Sequence, residues 1–341
     1  MLQVVHLSDL HLFLPTASLQ RAIQDLQNKL QQSWAAKIPG IRSLTHTYSY
    51  AFQTAQRELP NSLRRAIPDE PTVLAITGDI AALPYDSAQD IDNEYYSYVC
   101  SLVVASRAKL LLTLLGNHDW DLAGSTPFQA TKFETNLKIT SMPRPEYFPG
   151  SNVTVIFFVI PTTNNIFPAV GDVKSTTIGF LKRSFEEGRK GQLKFNDGKV
   201  FTEGEYRAAF KVVLMHHFPL PHSAYGGRIS WLQYCDLRLR NRRELLRTCQ
   251  DEIDTFMFGH SHEPCVNQRN GFIMVDAGST LATDSAYAPR DAEFQMIQLH
   301  DTDKVNVLSY RWDRTLARFD ITSNAPFRRS KARRWWLVPK P

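Results

Sequence analysis

Five short apolar segments of this chain each end in side chains that could bind a divalent cation. The five ends read "SDLH" (8–11), "GD" (78–79), "GNHD" (116–119), "HH" (216–217) and "GHSH" (259–262). Carboxylate, amide and imidazole groups suit Mn, Fe or Zn, and no cysteine stands among them. The candidate residues are Asp9, His11, Asp79, Asn117, His118, Asp119, His216, His217, His260 and His262.

Buried strands must position these residues. The near-continuous apolar runs that precede these residues have the length of strands that are covered on both faces. Such runs alternate with helix-like stretches, which predicts a layered α/β fold. Ligand sites in open α/β sheets lie beyond the carboxyl ends of the strands. The predicted strands are 2–8, 72–77, 109–115, 153–160, 210–215, 254–258 and 272–276, the helices are 19–36, 93–106, 177–189 and 241–253, and a late hairpin covers 293–299 and 304–312.

The number of candidate ligands favours two ions over one. Seven ligating side chains exceed what one transition metal ordinarily takes from a protein. Two ions about 3.5–4 Å apart that share a carboxylate would accommodate the set. Such a pair lowers the pKa of a bridging water, so that hydroxide is available near neutral pH. Spacing does not decide which member of the His216–His217 pair is the ligand.

Composition indicates a soluble globular protein. The 341 residues are 43% apolar and 21% charged, and no apolar run approaches the roughly 18–20 residues that span a bilayer. The first residues lack the pattern of a signal peptide. Four cysteines stand without zinc-type spacing, which favours a reduced, cytoplasmic protein over a disulfide framework. We expect His6, inside the first strand, to be a core residue.

The ordered set D-x-H, GD, GNHD, H and GHxH resembles the calcineurin-like metallophosphoesterase superfamily over about residues 4–280. The trailing "GST" (278–280) and the final strand pair are also similar to that family. The resemblance implies a central double β-sheet sandwich flanked by helices, with helical insertions and a dinuclear metal centre. It implies that Asp79 bridges two ions, that one ion takes Asp9, His11 and His262, and that the other takes Asn117, His216 and His260.

The resemblance also implies a catalytic role for His118, as a histidine that faces the leaving group without binding metal. Such a histidine can stabilise or protonate the departing oxygen. It needs a carboxylate to orient it, and Asp119 or Asp121 could supply one. His217 is then expected to support or pack beside a ligand.

Departures from subfamily patterns narrow the activity. Ala82 stands where the Ser/Thr protein phosphatases have an aspartate and where purple acid phosphatases have a tyrosine. The remaining similarity favours a phosphodiesterase that acts on a nucleotide-like or other small diester. A metal-dependent nuclease is the alternative, and a phosphomonoesterase or a non-catalytic interaction module is less favoured.

Residues 1–312 are predicted to form the catalytic domain, with a helical insertion or cap at 13–71 and a second insertion at 162–209. Residues 313–341 form a basic extension that contains tryptophan, and the last fourteen residues carry six basic side chains and no acidic one. This tail could bind nucleic acid or an anionic surface, although packing of its tryptophans against the domain is slightly preferred. Five arginines between 238 and 247 could recognise phosphate, although a solvated helix face is favoured.

Overall fold

The computed structural model describes residues 1–12, 50–80, 89–119, 142–163, 170–226, 228–229, 231, 234–235, 238–281, 292–330 and 335–338. Two β-sheets stack face to face, and helices cover the outer face of each sheet. This four-layer arrangement is the predicted double sandwich. The helical cap predicted for residues 13–71 lies outside the described residues from 13 to 49.

The first sheet has seven strands in the order β17-β16-β15-β14-β1-β2-β3. Strands β1, β2 and β3 run parallel, and β14 to β17 extend the sheet antiparallel beside β1. Every residue of β1 and β2 is buried, as near-continuous apolar runs predict. The strands are β1 (Leu2–Leu7), β2 (Thr72–Ile76), β3 (Ala108–Thr113), β14 (Glu293–Leu299), β15 (Lys304–Asp313), β16 (Arg318–Arg329) and β17 (Trp335–Leu337).

The second sheet has six strands in the order β12-β13-β11-β9-β5-β4. Its four central strands are parallel, and its two edge strands are antiparallel. The strands are β4 (Arg144–Pro149), β5 (Thr154–Val159), β9 (Phe210–Leu214), β11 (Thr255–Phe258), β12 (Cys265–Arg269) and β13 (Phe272–Asp276). Two short pairs join β6 (Gly171–Asp172) to β10 (Leu239–Arg240) and β7 (Leu193–Lys194) to β8 (Val200–Phe201).

Three apolar clusters hold the layers together. The middle cluster lies between the sheets and includes Val4, Val73, Phe157 and Val212. The outer face of the first sheet packs against two helices, and that of the second sheet against three more. These helices are α1 (Tyr50–Ala66), α2 (Gln89–Ser106), α3 (Ser175–Arg189), α4 (Glu203–Ala208) and α5 (Arg242–Cys249).

The segment after residue 312 continues the first sheet. β16 pairs along most of β15, and β17 pairs with the end of β16. The Trp335 indole is buried in the cluster between the sheets, where its Nε1 donates a hydrogen bond to Asp254 Oδ1 at 3.0 Å. Trp335 therefore packs against the domain. The domain boundary at residue 312 and a tail contact with nucleic acid or an anionic surface stay predictions.

The predicted strands and helices that fall within the described residues reappear with shifts at their ends, whereas the helix predicted for 19–36 lies outside the described residues. The 293–299 strand is reproduced to the residue, the hairpin with 304–313 is antiparallel, and α5 ends at Cys249 rather than at 253. β4 was not predicted because it contains two prolines, and it lies at a sheet edge where proline is tolerated. All four cysteines are free. Among the described residues, no helix is long and apolar enough to span a membrane.

Candidate metal centre

The loops that follow five parallel strands meet at one edge of the sandwich. β1, β2 and β3 of the first sheet lead into the Asp9, Asp79 and Asn117 loops. β9 and β11 of the second sheet lead into the His216 and His260 loops. Five of the seven predicted ligands have a positive φ, from 43° to 68°: Asp9, His11, Asp79, His260 and His262. Asp and His tolerate this left-handed conformation better than most residues, and such strain clusters at functional sites.

One group of ligand atoms surrounds Asp9. His262 Nε2 lies 3.2 Å and His11 Nε2 lies 3.8 Å from Asp9 Oδ1. The two imidazole nitrogens are 3.1 Å from each other. One possible ligand atom from each of Asp9, His11, Asp79 and His262 lies within 4.8 Å of the others.

A second group surrounds His216. His216 Nε2 lies 3.0 Å from His260 Nδ1, 3.3 Å from Asn117 Oδ1 and 3.5 Å from Asp79 Oδ2. Ligand atoms of Asp9, Asp79, His216 and His260 also fall within 4.8 Å of one another. The two groups therefore share Asp9 and Asp79, and each of the seven predicted ligands lies in at least one of the two groups.

The polar atoms at this centre are arranged as ligands for a cation. His216 Nδ1 lies 2.7 Å from the Thr77 carbonyl oxygen. A neutral imidazole that donates from Nδ1 presents a bare lone pair at Nε2, and this Nε2 faces the Asn117 and Asp79 oxygens, which are also acceptors. Asp9 Oδ1 is buried and accepts no hydrogen bond from the described residues. A buried acceptor left in this way is destabilising unless something else neutralises it, so the donor set fits a divalent cation.

Two glycines let the loops approach one another. A Cβ on Gly116 would lie 1.9 Å from Asp79 Oδ1, and a Cβ on Gly259 would lie 1.8 Å from Ser8 Oγ. Neither position can carry a side chain without moving a ligand loop. The "GST" segment braces the same region, because Ser279 Oγ donates to the Asp9 carbonyl oxygen at 3.0 Å.

Burial and mutual charge shape the ionisation of the centre. Burial alone would lower the pKa of His216, but the carboxylates of Asp79 and Asp9 outweigh it and raise the pKa to about 9. Burial alone would raise the pKa of Asp9, but the nearby His262 and His216 outweigh it and lower the pKa. Each carboxylate thus attracts positive charge from its neighbours, and a bound cation would take over that role with the histidines neutral.

The sequence profile described as calcineurin-like phosphoesterase matches residues 2–264. The chain belongs to the calcineurin-like phosphoesterase family. The solved structure of purple acid phosphatase PPD1 from yellow lupin (Lupinus luteus) seeds shares the fold of this chain, with a TM-score of 0.54 at 12% identity. The alignment covers 96% of this chain and 54% of the lupin chain.

Two further solved structures align over most of this chain with lower TM-scores. A Staphylococcus aureus protein assigned provisionally as a 5′-nucleotidase gives 0.48 at 13% identity, covering 95% of this chain and 53% of the other. Vps29 from Entamoeba histolytica, complexed with zinc, gives 0.36 at 10% identity, covering 95% and 98%. The chain spans about half the length of the first two of these three structures. A comparison with curated proteins finds no match.

His217 stands beside the candidate metal centre with a different set of contacts. Its Nδ1 lies 2.9 Å from Thr162 Oγ1, and its backbone N–H donates to the same oxygen at 3.2 Å. Its ring lies 4.3 Å from the His260 ring, centroid to centroid. His217 is also within 4.8 Å of His216 and His260 by its ligand atoms. The hydrogen bond at Nδ1 suits a residue that supports His260.

The two residues predicted to be catalytic follow Asn117 in a short 3₁₀ turn, Asn117–Asp119. Asp119 is buried, and its Oδ2 accepts a hydrogen bond from the Gly116 N–H at 2.8 Å. This contact fixes the turn that presents Asn117. The side chain of His118 and the whole of Asp121 lie outside the described residues, so their catalytic roles stay predictions.

Asp276 is a buried carboxylate that the sequence-based ligand set omits. Its Oδ2 accepts hydrogen bonds from Ser261 Oγ at 2.6 Å and from the Tyr225 hydroxyl at 2.9 Å, and its Oδ1 accepts one from the Gly278 N–H at 3.0 Å. Ser261 stands between His260 and His262, so Asp276 anchors the loop that carries both. Burial raises the pKa of Asp276 well above its usual range. The signal was present, since "FIMVD" is another strand that ends in a carboxylate.

Proposed function

We propose that this chain is a dinuclear-metal-dependent phosphodiesterase that hydrolyses a nucleotide-like or other small phosphodiester. One observation carries the proposal. Atoms of seven side chains from five loops converge in two groups that share Asp9 and Asp79. The family supplies the reaction class, since its members are phosphoesterases.

Each ion would have its own set of residues. Asp9, His11 and His262 would hold one ion, Asn117, His216 and His260 would hold the other, and Asp79 would contact both. When bound, two divalent ions supply a water of lowered pKa and positive charge that stabilises the phosphoryl oxygens. Mn, Fe and Zn all suit these ligands.

The surrounding residues hold these ligands in place. Thr77 fixes the His216 ring through its carbonyl oxygen, Ser8 Oγ donates to Asp9 Oδ2 at 2.5 Å, and the His260 N–H donates to the same oxygen at 2.9 Å. Hydrogen bonds of this kind orient ligands and tune their basicity. His118, beside Asn117, is proposed to protonate or stabilise the departing oxygen, and Asp119 contributes by fixing the turn that carries it.

A diester is preferred to a monoester because the sequence lacks residues that are typical of two phosphatase subfamilies. Ala82 stands where the Ser/Thr protein phosphatases and the purple acid phosphatases have functional side chains, and no arginine stands near it in "GDIAALPYD" (78–86). A site without an arginine in this loop has less positive charge to pair with the extra negative charge of a monoester.

The test joins elemental analysis to hydrolysis of model substrates. We expect the purified protein, loaded with Mn²⁺, to retain about two ions per chain and to cleave bis-p-nitrophenyl phosphate faster than p-nitrophenyl phosphate. Asp79→Asn should lose both bound metal and hydrolysis. Asp303→Asn makes the same chemical change on an exposed residue in the turn after β14, far along the sheet from the centre, and should retain both.

Three outcomes would overturn parts of this proposal. A folded protein that binds no Mn²⁺, Fe²⁺ or Zn²⁺ and cleaves neither substrate would support a non-catalytic module. Faster cleavage of the monoester would replace the diesterase by a phosphatase. Equal activity of Asp79→Asn and Asp303→Asn would remove Asp79 from the centre.

A further inference from the structure

A groove rich in arginine lies beside α5, on the segment that follows the His216–His217 pair. It has a volume of about 730 Å³, and its lining includes Trp231, Tyr234, Arg238, Arg240, Arg243 and Arg247. Arg242 Nη1 donates to the Leu220 carbonyl oxygen at 3.0 Å, which ties the start of α5 to the loop after His217. The groove is built by residues that the proposed centre does not use.

Four guanidinium groups in this groove have no ionic partner in the part of the chain that the structure describes. Among the described residues, the side chains of Arg238, Arg240, Arg243 and Arg247 make no ion pair or hydrogen bond. Arg243 and Arg247 lie four residues apart on α5, where like charges repel. The acidic residue at the groove, Glu244, faces Lys182 at 3.9 Å. The surface of the groove therefore carries concentrated positive charge, which would attract an anion.

An aromatic platform stands at the same groove. The Trp231 side chain is 61% exposed and stacks on Tyr234, with ring centroids 5.7 Å apart and an interplanar angle of 29°. His222 packs edge-on against the Trp231 and Tyr234 rings, with centroid distances of 5.6 and 5.5 Å. The Arg242 guanidinium lies over the Tyr234 ring. The Trp231 indole therefore packs against Tyr234 and leaves apolar surface exposed to solvent beside the arginines.

We propose that this groove binds the base and phosphates of a nucleotide-type ligand. The base stacks on Trp231, as bases stack on aromatic side chains in single-strand binders, and the guanidinium forks of Arg243 and Arg247 pair with phosphate oxygens. A simple anion would contact the arginines but would not account for the exposed Trp231 indole. An apolar ligand would leave four cations unpaired.

The charge of the groove favours a ligand with several phosphates. Arg243 and Arg247 also line a second cavity of about 630 Å³, together with Gln268 and Asn270. A nucleoside triphosphate or a short single-stranded oligonucleotide could extend from one cavity toward the other along these two arginines. Both ligands present the same chemistry, and binding experiments distinguish them.

The test uses the full chain with Asp79→Asn in the presence of a chelator, so that binding is measured without hydrolysis or metal. Intrinsic tryptophan fluorescence and calorimetry would follow titration with adenosine, inorganic phosphate, ATP and an eight-residue oligothymidylate. We expect ATP or the oligonucleotide to bind more tightly than adenosine or phosphate. Trp231→Ala should weaken that binding by about 5- to 150-fold, which is the usual value of one base stack.

The arginines are tested by salt and by a matched control. Arg247→Gln should weaken oligonucleotide binding and reduce the slope of log K against log salt by about one. Arg318→Gln removes the same charge from an exposed residue of β16 and should leave both quantities unchanged. Preference for ATP identifies a mononucleotide site, and preference for the oligonucleotide identifies a single-strand site.

Equal binding by the unaltered protein, Trp231→Ala and Arg247→Gln would overturn the proposal. Binding of phosphate as tightly as ATP, unaffected by Trp231→Ala, would reduce the groove to an anion site. Sedimentation with phosphatidylserine vesicles that is lost in Arg247→Gln, without nucleotide binding, would assign the groove to a membrane surface. None of these results depends on whether the metal centre hydrolyses phosphodiesters.

Discussion

The two ends of β11 hold buried carboxylates in opposite situations. Asp254 directly precedes the strand, and every oxygen of its carboxylate has a donor. Its Oδ1 accepts from Arg329 Nη2 at 2.6 Å and from Trp335 Nε1 at 3.0 Å, while Oδ2 accepts from the Lys211 N–H at 2.8 Å. Beyond the other end of the strand, Asp9 Oδ1 accepts no hydrogen bond from the described residues and faces two histidines.

The difference distinguishes a structural charge from a ligand. A buried charge that serves the fold is paired and hydrogen-bonded, because an uncompensated one is destabilising by several kcal/mol. A buried charge that would bind a cation leaves a carboxylate oxygen aimed at other groups that can bind a cation, here the imidazole nitrogens of His11 and His262. Four predictions test this contrast, in order of decreasing effect.

Asp254→Ala should destabilise the fold by about 3–5 kcal/mol, because it leaves the buried Arg329 guanidinium without its carboxylate. Urea unfolding of the metal-free protein, followed by circular dichroism, measures the change. Asp79→Asn under the same conditions should lie within about 1 kcal/mol of the unaltered protein, because it relieves charge at an empty centre. A similar loss of stability in both variants would end the contrast.

His216→Asn should reduce hydrolysis of bis-p-nitrophenyl phosphate by more than about 100-fold, because removal of a ligand exceeds the 10- to 100-fold effect of removing its support. His217→Asn is the matched variant, one residue along the chain. It should reduce activity by no more than about 100-fold, since Thr162 already engages its Nδ1. Metal content should fall in the first variant more than in the second, and the reverse order would make His217 the ligand.

The contrast also shows what the sequence could predict. Strand ends are local patterns, so the seven candidate ligands, which the structure brings together, could be read from the residues after five apolar runs. The pairing of Asp254 with Arg329 and Trp335 joins residues more than seventy positions apart, and no local pattern signals it. Asp276 was missed because a lone carboxylate at a strand end resembles a turn residue until Tyr225 and Ser261 are seen to meet it.

The fold was predictable where burial dominates. Strands β1, β2, β9 and β11 are buried throughout and mostly apolar, so their sequences indicated them. Edge strands carry weaker patterns, as the prolines of β4 and the polar residues of β16 show. The division of strands between two sheets came from family resemblance, since hydrophobic runs do not reveal their partners.

Asp276→Ala should lower Mn²⁺ affinity by about 10- to 100-fold, because Ser261 would no longer be anchored between His260 and His262. Asp276→Asn keeps a polar group of the same shape, and Ser261 Oγ can accept from the amide while it donates to the Glu263 carbonyl oxygen. It should retain affinity within a few-fold. Isothermal titration with Mn²⁺ measures both variants, and equal losses would show that the charge itself, rather than the anchor, matters.

His6 provides the smallest effect per step of its measurement, about 1.4 kcal/mol for each pH unit, and a control from the same strand that leads to Asp9. Burial lowers the pKa of His6 to about 3, and its Nε2 lies 3.0 Å from Thr77 Oγ1. The folded protein keeps this imidazole neutral, whereas the unfolded chain protonates it below about pH 6.5. Its contribution to stability is therefore present above pH 6.5 and is lost as the pH falls toward 3.

The slope of that loss should reach about 1.4 kcal/mol per pH unit between these values. Urea unfolding at a series of pH values measures it in metal-free protein. His6→Gln should flatten the dependence in this range, and an unchanged slope would assign the acid sensitivity to other groups.

The origin of the seven candidate ligands in both sheets has a mechanical consequence. The first sheet supplies Asp9, His11, Asp79 and Asn117, and the second supplies His216, His260 and His262. A cation bound by residues of both sheets would link the two sheets at one edge of the sandwich. The Asp254–Arg329 ion pair links them at the other edge. Separation of the sheets would then require coordination bonds to break first, so loading with metal should slow unfolding as well as enable catalysis.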